Sequence, residues 1–193
     1  MTTKNVTAFL GSARPNGQTA WLLDEVAASF NKNKDDKMAM TIMDLYDYDI
    51  KPLSRNFIEN KTPAPTEDDM AHLIPVIKES KVIILATPIY WFTVSGMMKN
   101  FLDRWYDFSD EKANLNINGK GIAVVTAHAN PSVTMSYPVF KMVEGIAEFC
   151  NMTYLGGVDT ITSAKPGTDE YNTSAINAEL LGKRIVEFLK YMN

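Results

Sequence analysis

Apolar positions along the chain alternate between two rhythms. Short unbroken runs such as Val6-Thr7-Ala8-Phe9-Leu10 and Val82-Ile83-Ile84-Leu85-Ala86 read as buried strands. Between them, apolar residues recur at helical spacing. The pattern predicts β1 at Val6–Leu10, α1 at Thr19–Asn31, β2 at Ala39–Leu45 and α2 at Glu67–Ser80. It continues with β3 at Lys81–Thr87, α3 at Val94–Tyr106, β4 at Gly121–Ala127, α4 at Ser136–Asn151, β5 at Thr153–Thr160 and α5 at Asn172–Tyr191. Thr66-Glu67-Asp68-Asp69 has the form of a helix cap with an acidic first turn, which sets the start of α2. Pro75 inside that helix should kink it or shift its start. In α5 the spacing of Ile176, Leu180, Ile185 and Leu189 marks the expected buried stripe.

Strands β1, β3 and β4 are almost continuously apolar, so both of their faces are buried. Parallel sheets covered by helices on both sides have such strands. Five strands alternating with five helices therefore predict a doubly wound α/β sandwich of three layers, in one domain spanning residues 1–193. Sheets of that kind take ligands beyond the carboxyl ends of their strands, at the point where strand order reverses.

Composition narrows the partners. Apolar residues make up 46% and charged residues 22%, as in ordinary soluble domains. The net charge of −4 argues against a nucleic-acid footprint. Cys150 is the one cysteine, so neither a disulfide framework nor a cysteine metal cluster is expected, and its apolar helix face reads as core. No basic leader and no long apolar segment is visible, so a cytoplasmic protein with no membrane contact is expected.

Candidate chemistry lies at three strand ends. The first is Gly11-Ser12-Ala13-Arg14-Pro15-Asn16-Gly17-Gln18-Thr19, between β1 and α1. A helix start offers free N–H groups and positive potential. Ser12, Gln18 and Thr19 add polar donors, Arg14 adds a charge, and glycines at 11 and 17 allow close backbone approach. No lysine stands where a nucleoside triphosphate loop needs one, and the G-x-G-x-x-G of dinucleotide sites is absent. One terminal phosphate fits best, although an ordinary β–α turn has the same outline. The second end carries Ile89-Tyr90-Trp91-Phe92, four bulky residues where polar ones are usual. A flat ligand, a core plug or a subunit interface would each account for them. The third is Thr126-Ala127-His128-Ala129-Asn130-Pro131-Ser132.

Taken together, G-S-x-R-x-x-G-x-T after β1 and T-P-I-Y-W-F-x-V-S-G-x-M-K-N-F-L-D-R after β3 closely resemble the NAD(P)H-dependent FMN reductase family, of flavodoxin-like fold. The resemblance covers most of the chain. It implies that Ser12, Arg14, Gly17, Gln18 and Thr19 hold the FMN phosphate. It implies that Pro88, Ile89, Tyr90, Trp91 and Phe92 line the isoalloxazine and offer it backbone N–H groups. Thr126, Ala127 and His128 would border the pyrimidine edge, where the family commonly has glycines. His128 would either stabilise negative charge there or point to water. His72 should be solvated.

The resemblance extends to iron–sulfur flavoproteins, in which a Cys-x-x-Cys element often follows the proline of the β2–α2 stretch. Here Ile50-Lys51-Pro52-Leu53-Ser54-Arg55-Asn56-Phe57 has no cysteine, so thiolates to hold a cluster are lacking. Tyr46–Pro65 is long for a connection and suggests a lid, from the same or a neighbouring subunit.

The function implied is an FMN oxidoreductase. Nicotinamide would pass a hydride to flavin N5, and a quinone, nitro, azo or flavin acceptor would then take its place, with no protein group required as acid or nucleophile. An electron carrier of the flavodoxin kind and a phosphate-ligand binder that has lost flavin are the alternatives. Aromatic and apolar residues at the end of α3, Phe101-Leu102-Asp103-Arg104-Trp105-Tyr106, suggest a homodimer or homotetramer with α3 and the 46–65 stretch near the interface. The other reading is that Trp105 and Tyr106 close the core beneath β4.

Overall fold

The computed structural model describes residues 3–53, 68–105, 117–132 and 134–192. Its sheet is parallel throughout, with strand order β2-β1-β3-β4-β5. The strands are β1 Lys4–Leu10, β2 Met38–Asp44, β3 Ser80–Pro88, β4 Gly121–His128 and β5 Thr153–Ile161. The helices are α1 Gln18–Asn33, α2 Met70–Glu79, α3 Gly96–Asp103, α4 Tyr137–Phe149 and α5 Asp169–Tyr191. The expected doubly wound architecture is present. Strand order reverses between β1 and β3, which fixes the crevice for a ligand.

The alternation along each strand sorts the core into two layers. Val6, Ala8, Ile84 and Val125 face Leu22, Val26 and Phe30 of α1 and Ile185 and Leu189 of α5. Phe9, Ile83, Leu85 and Val124 face Leu73 and Ile77 of α2, Met98 and Phe101 of α3, and Val143 of α4. Each fully buried side chain of this size is worth about 1.5–3 kcal/mol, so burial on both faces adds to the ladder hydrogen bonds that hold the central strands.

Several expectations are corrected. In α5 the buried stripe is Ala178, Leu181, Ile185, Val186 and Leu189, whereas Ile176 and Leu180 are exposed. A 3.6-residue period over a helix that starts at Asp169 rotates those two positions away from the sheet. Helix α2 begins at Met70, three residues after the expected Glu67: its N-cap is Asp69, and Asp68 just before it accepts from the Met70 N–H (3.1 Å) while committed to Arg104. The expected capping residue, Thr66, lies outside the described residues. Trp105 is buried and meets Phe101 edge-on at 5.8 Å. With Phe101 it fills the α3 side of the core, so neither supplies interface surface. Tyr106 lies outside the described residues. Cys150 follows α4, is half-buried beside the second layer, and has its thiol pKa raised by burial.

Two lysines fasten helix ends at the amino edge of the sheet. Lys4 Nζ donates to the carbonyls of Leu189 (2.7 Å) and Met192, at the end of α5. Lys120 Nζ donates to those of Lys78 (2.7 Å) and Ser80, at the end of α2. A cation at a helix carboxyl terminus meets unpaired carbonyls and the negative end of the dipole. Burial of Lys120, together with the charge of Lys81, lowers its pKa to about 8.

On the opposite edge, the two ends of the β2–α2 excursion are tied together. The Asp49 N–H donates to Asp69 Oδ2 (2.8 Å), and the Lys51 N–H donates to Asp68 Oδ2 (3.1 Å). Arg104 of the turn after α3 pairs with Asp68 out of contact with water, and also donates to the Lys51 carbonyl (2.9 Å). Asn100 of α3 donates to the Ile50 carbonyl. Burial alone would raise the Asp68 pKa, but the Arg104 guanidinium and the backbone donors outweigh it and hold the carboxyl below its usual value. Residues 54–65 of the stretch suggested as a lid lie outside the described residues.

Candidate active site

The carboxyl ends of β1, β3 and β4 are joined by buried hydroxyls. Ser95 Oγ donates to the Gly11 carbonyl (2.6 Å) and accepts from the Met98 N–H (3.1 Å). The Ser95 N–H donates to Thr87 Oγ1 (3.0 Å), and Thr126 Oγ1 donates to the Thr87 carbonyl (2.7 Å). One serine therefore caps α3 and pins the first loop to the second. Gly11 suits the close approach there, because a Cβ would lie 3.0 Å from Met98 Cβ and 3.2 Å from Ser95 Oγ and would press on both. Sequence reading quoted Ser95 inside a motif without giving it a role. A hydroxyl immediately before a helix was the available signal.

Helix α1 starts at the end of the first loop. Its N-cap is Gly17, with extended backbone and no side chain to cap with; α3 and α5 are capped by Ser95 and Thr168, and α2 and α4, like α1, have no side-chain cap. The Trp21 N–H is the first to close on the helix, at the Gly17 carbonyl (3.0 Å), which leaves the earlier N–H groups open at the β1/β3 crevice. Ser12 Oγ and the Arg14 backbone fold onto each other, with both contacts at 3.2 Å, and the Arg14 side chain is exposed. Thr19 is buried. Gln18 turns aside, since its amide donates to the Ala164 carbonyl of the β5–α5 loop (3.3 Å) while its Oε1 is buried without a hydrogen bond among the described residues. An uncapped helix start beside a free arginine fits a phosphate group.

The second loop is a tight hairpin. Tyr90 and Thr93 exchange backbone hydrogen bonds of 3.0 and 3.1 Å, and the two residues between them have φ of 51° and 65°. Both are aromatic. Trp91 is 94% exposed and Phe92 60%. Turns with two left-handed central residues normally use Asn-Gly. The expectation of backbone N–H groups from Pro88 to Phe92 is narrowed here. Pro88 has none, that of Ile89 bonds the Ala127 carbonyl (2.8 Å), and that of Tyr90 bonds Thr93. Those of Trp91 and Phe92, at the outward tip of the turn, are the ones left.

The third segment belongs mostly to β4. Thr126 and Ala127 are buried in the strand, with the threonine hydroxyl spent on β3. His128 is also buried, at 3% exposure, so it does not point to water. Its Nδ1 lies 2.6 Å from the Asn130 carbonyl and its Nε2 3.0 Å from Asp159 Oδ2. Neither ring nitrogen is left to donate to a ligand. The Asp159 carboxylate raises the His128 pKa above the usual value, burial opposes it, and the Asn130 carbonyl adds to the rise. Burial would push Asp159 upward, but hydrogen bonds from His128 and Ser136 hold it low. Asp159 and Ser136 had no signal in the sequence, because the pairing crosses strands. His72 is exposed and pairs with Asp69 at 3.3 Å. Among the described residues, no group of three or more His, Cys, Asp or Glu is placed to hold a metal, and no helix is long and apolar enough to cross a membrane.

Comparison with known proteins agrees with this geometry. Residues 4–157 match the family model of NADPH-dependent FMN reductase. YwqN of Bacillus subtilis (strain 168), whose name describes an NAD(P)H-dependent FMN-containing oxidoreductase, is 27% identical over 154 residues, covering 77% of this chain and 80% of that protein. An iron–sulfur flavoprotein of Methanocaldococcus jannaschii is 29% identical over 100 residues, about half of each chain. An FMN-dependent NADH-azoreductase of Bacillus anthracis, solved with FMN, superposes with a TM-score of 0.73 at 12% identity, over 96% of this chain and 100% of that one. The fold and the family match lead to one assignment: this chain belongs to the NADPH-dependent FMN reductase family and is an oxidoreductase with FMN as its cofactor.

Proposed function

We propose that the chain is a single FMN-binding domain that oxidises NADH or NADPH and reduces a small planar acceptor of the quinone, nitro, azo or flavin type, in the cytoplasm and as a homodimer or homotetramer. The observation that carries the reading is the pairing of the uncapped α1 start with an exposed aromatic turn on the other side of the β1/β3 crevice. FMN supplies the hydride chemistry when bound. The protein's part is to bind and orient. Ser12, Arg14, Gly17, Thr19 and the first N–H groups of α1 take the phosphate, with Gln18 fixing that loop to Ala164. The apolar walls come from Pro88 and Ile89, and the faces of Tyr90, Trp91 and Phe92 exclude water from the ring. Ala127 and the Thr126 and His128 backbones close the remaining edge.

The oligomer reading rests on exposed aromatic residues at the carboxyl edge of the sheet, Tyr90, Trp91, Phe92 and Tyr137. The purified protein should be yellow and should consume NADH or NADPH with a simple quinone, without a partner protein. A colourless protein that takes up no FMN overturns the reading. A protein that holds FMN but oxidises neither nicotinamide is an electron carrier instead. A monomeric mass by light scattering at full turnover overturns the oligomer.

A further inference from the structure

His128 faces two groups that can only accept. The Asn130 carbonyl lies 2.6 Å from Nδ1, and the Asp159 carboxylate lies 3.0 Å from Nε2. A neutral imidazole carries one N–H and can satisfy one of them, whereas an imidazolium satisfies both. The ring itself is buried, while Asn130 lies at the surface and Asp159 is partly exposed, so the mismatch at neutral charge falls on the short Nδ1 contact to the Asn130 carbonyl. Ser136 at the start of α4 offers a hydroxyl, which donates to Asp159, and the neighbouring β3 end is Pro88 and Ile89. The ionisable group facing the ring among the described residues is Asp159.

We propose that His128 is a positioning residue: as an imidazolium donating from both ring nitrogens it latches the 129–132 loop to β5, and loss of its proton releases that loop from the edge of the cofactor site. The bond that fails is the one to Asn130. A single remaining proton stays on Nε2, against the charged carboxylate. The Nδ1 lone pair then points at a carbonyl lone pair across 2.6 Å, and the loop moves outward. That loop continues from Ala127, which is paired with Pro88 and accepts from the Ile89 N–H, so its position bears on the wall beside the aromatic turn. The link to the cofactor rests on the reading of the site given above. The latch itself does not.

The test variant is Asp159→Asn. Its amide donates to Nε2 of a neutral imidazole, which frees the Nδ1 proton for Asn130, and it rotates to present oxygen when the imidazole is protonated. The Asn130 contact then survives at every pH. In ligand-free protein, the ring nitrogens of His128 and the backbone amides of Asn130 and Ser132 are followed by NMR from about pH 6 to pH 9, the range in which histidine titrates. With two histidines in the chain, His72→Gln assigns the signals. The wild-type loop amides should shift together with His128, with a midpoint above the ordinary 6.5, and the loop amides of Asp159→Asn should not. Loop signals that ignore the histidine, or that move equally in the variant, overturn the latch. FMN affinity, read by flavin fluorescence, should weaken by roughly 3- to 10-fold across the same interval relative to Asp159→Asn, the scale of one net hydrogen bond. Taking that ratio removes the titration of the FMN phosphate itself. A flat ratio overturns the coupling to the cofactor. A protein that binds no FMN at any pH defeats the functional reading instead, and leaves the NMR result decisive for the latch. Should Asp159→Asn fail to fold, the wild-type titration alone decides, since amides that stay still overturn it.

Discussion

Replacing Trp91-Phe92 by Asn-Gly should make the ligand-free protein more stable and the flavin complex weaker. The two residues hold φ of 51° and 65°. Left-handed backbone costs an ordinary L-residue roughly 1–2 kcal/mol, which asparagine and glycine largely avoid. Glycine gives back about 0.4–1 kcal/mol through the freedom it adds to the unfolded chain. Little native contact is lost, because Trp91 is 94% exposed. The balance is a gain of about 1–2 kcal/mol, or roughly 3–6 °C in Tm for a chain of this size. Removing the aromatic faces should cost FMN about 2- to 12-fold in affinity, the equivalent of about 0.5–1.5 kcal/mol for a stacked aromatic pair. Thermal unfolding without flavin gives the first quantity, and titration of flavin fluorescence gives the second. The single variant Trp91→Asn should show about half of each. A double variant that melts no higher than the wild type and binds FMN unchanged would refute the reasoning on both counts.

Three further outcomes are expected. Arg14→Ala should weaken FMN by about 1.5–3 kcal/mol, the worth of a charge-assisted hydrogen bond, and unchanged affinity at several salt concentrations removes Arg14 from the phosphate site. Ser95→Ala leaves the buried Gly11 carbonyl and the Met98 N–H unpaired, and should lower stability by about 2–3 kcal/mol in denaturant unfolding. A loss below half of that would mean the loops are joined some other way. Lys120 titrates at about 8 when folded and near 10.4 when unfolded. Between those values the unfolded chain binds more protons, so stability should rise with pH by roughly 2–3 kcal/mol. Lys120→Met should abolish that rise, and a wild-type curve that stays flat from pH 8 to pH 10 contradicts the low value.

The strands and their order of use were legible because β1, β3 and β4 carry no polar face, a pattern that burial imposes along each strand by itself. Helix ends were less legible. The start of α2 depends on Asp68, which is committed by Arg104 and Lys51 from elsewhere in the chain. The start of α1 after β1 could be read because a helix start is a local object. The working state of Gln18 could not, since Ala164 lies 146 positions away. His128 shows the same division. Its presence at a strand end was visible, but the partner that fixes its charge, Asp159, is set by the β4–β5 register. The aromatic run at 89–92 pointed to a flat guest. The left-handed turn that presents it runs against local preference, and nothing in the composition of that run announced it.

The excursion after β2 leaves and returns through one knot of hydrogen bonds at Asp49, Lys51, Asp68 and Asp69, held to α3 by Asn100 and Arg104. Its length is therefore decoupled from the sheet. Closing a longer loop on a fixed root costs only about 0.6 kcal/mol for each doubling, and the strands beneath receive the same boundary whatever lies between. Insertions, deletions or whole grafted segments between Leu53 and Asp68 should leave the flavodoxin-like frame unmoved. That makes this the place where the frame most readily takes on a new length of chain.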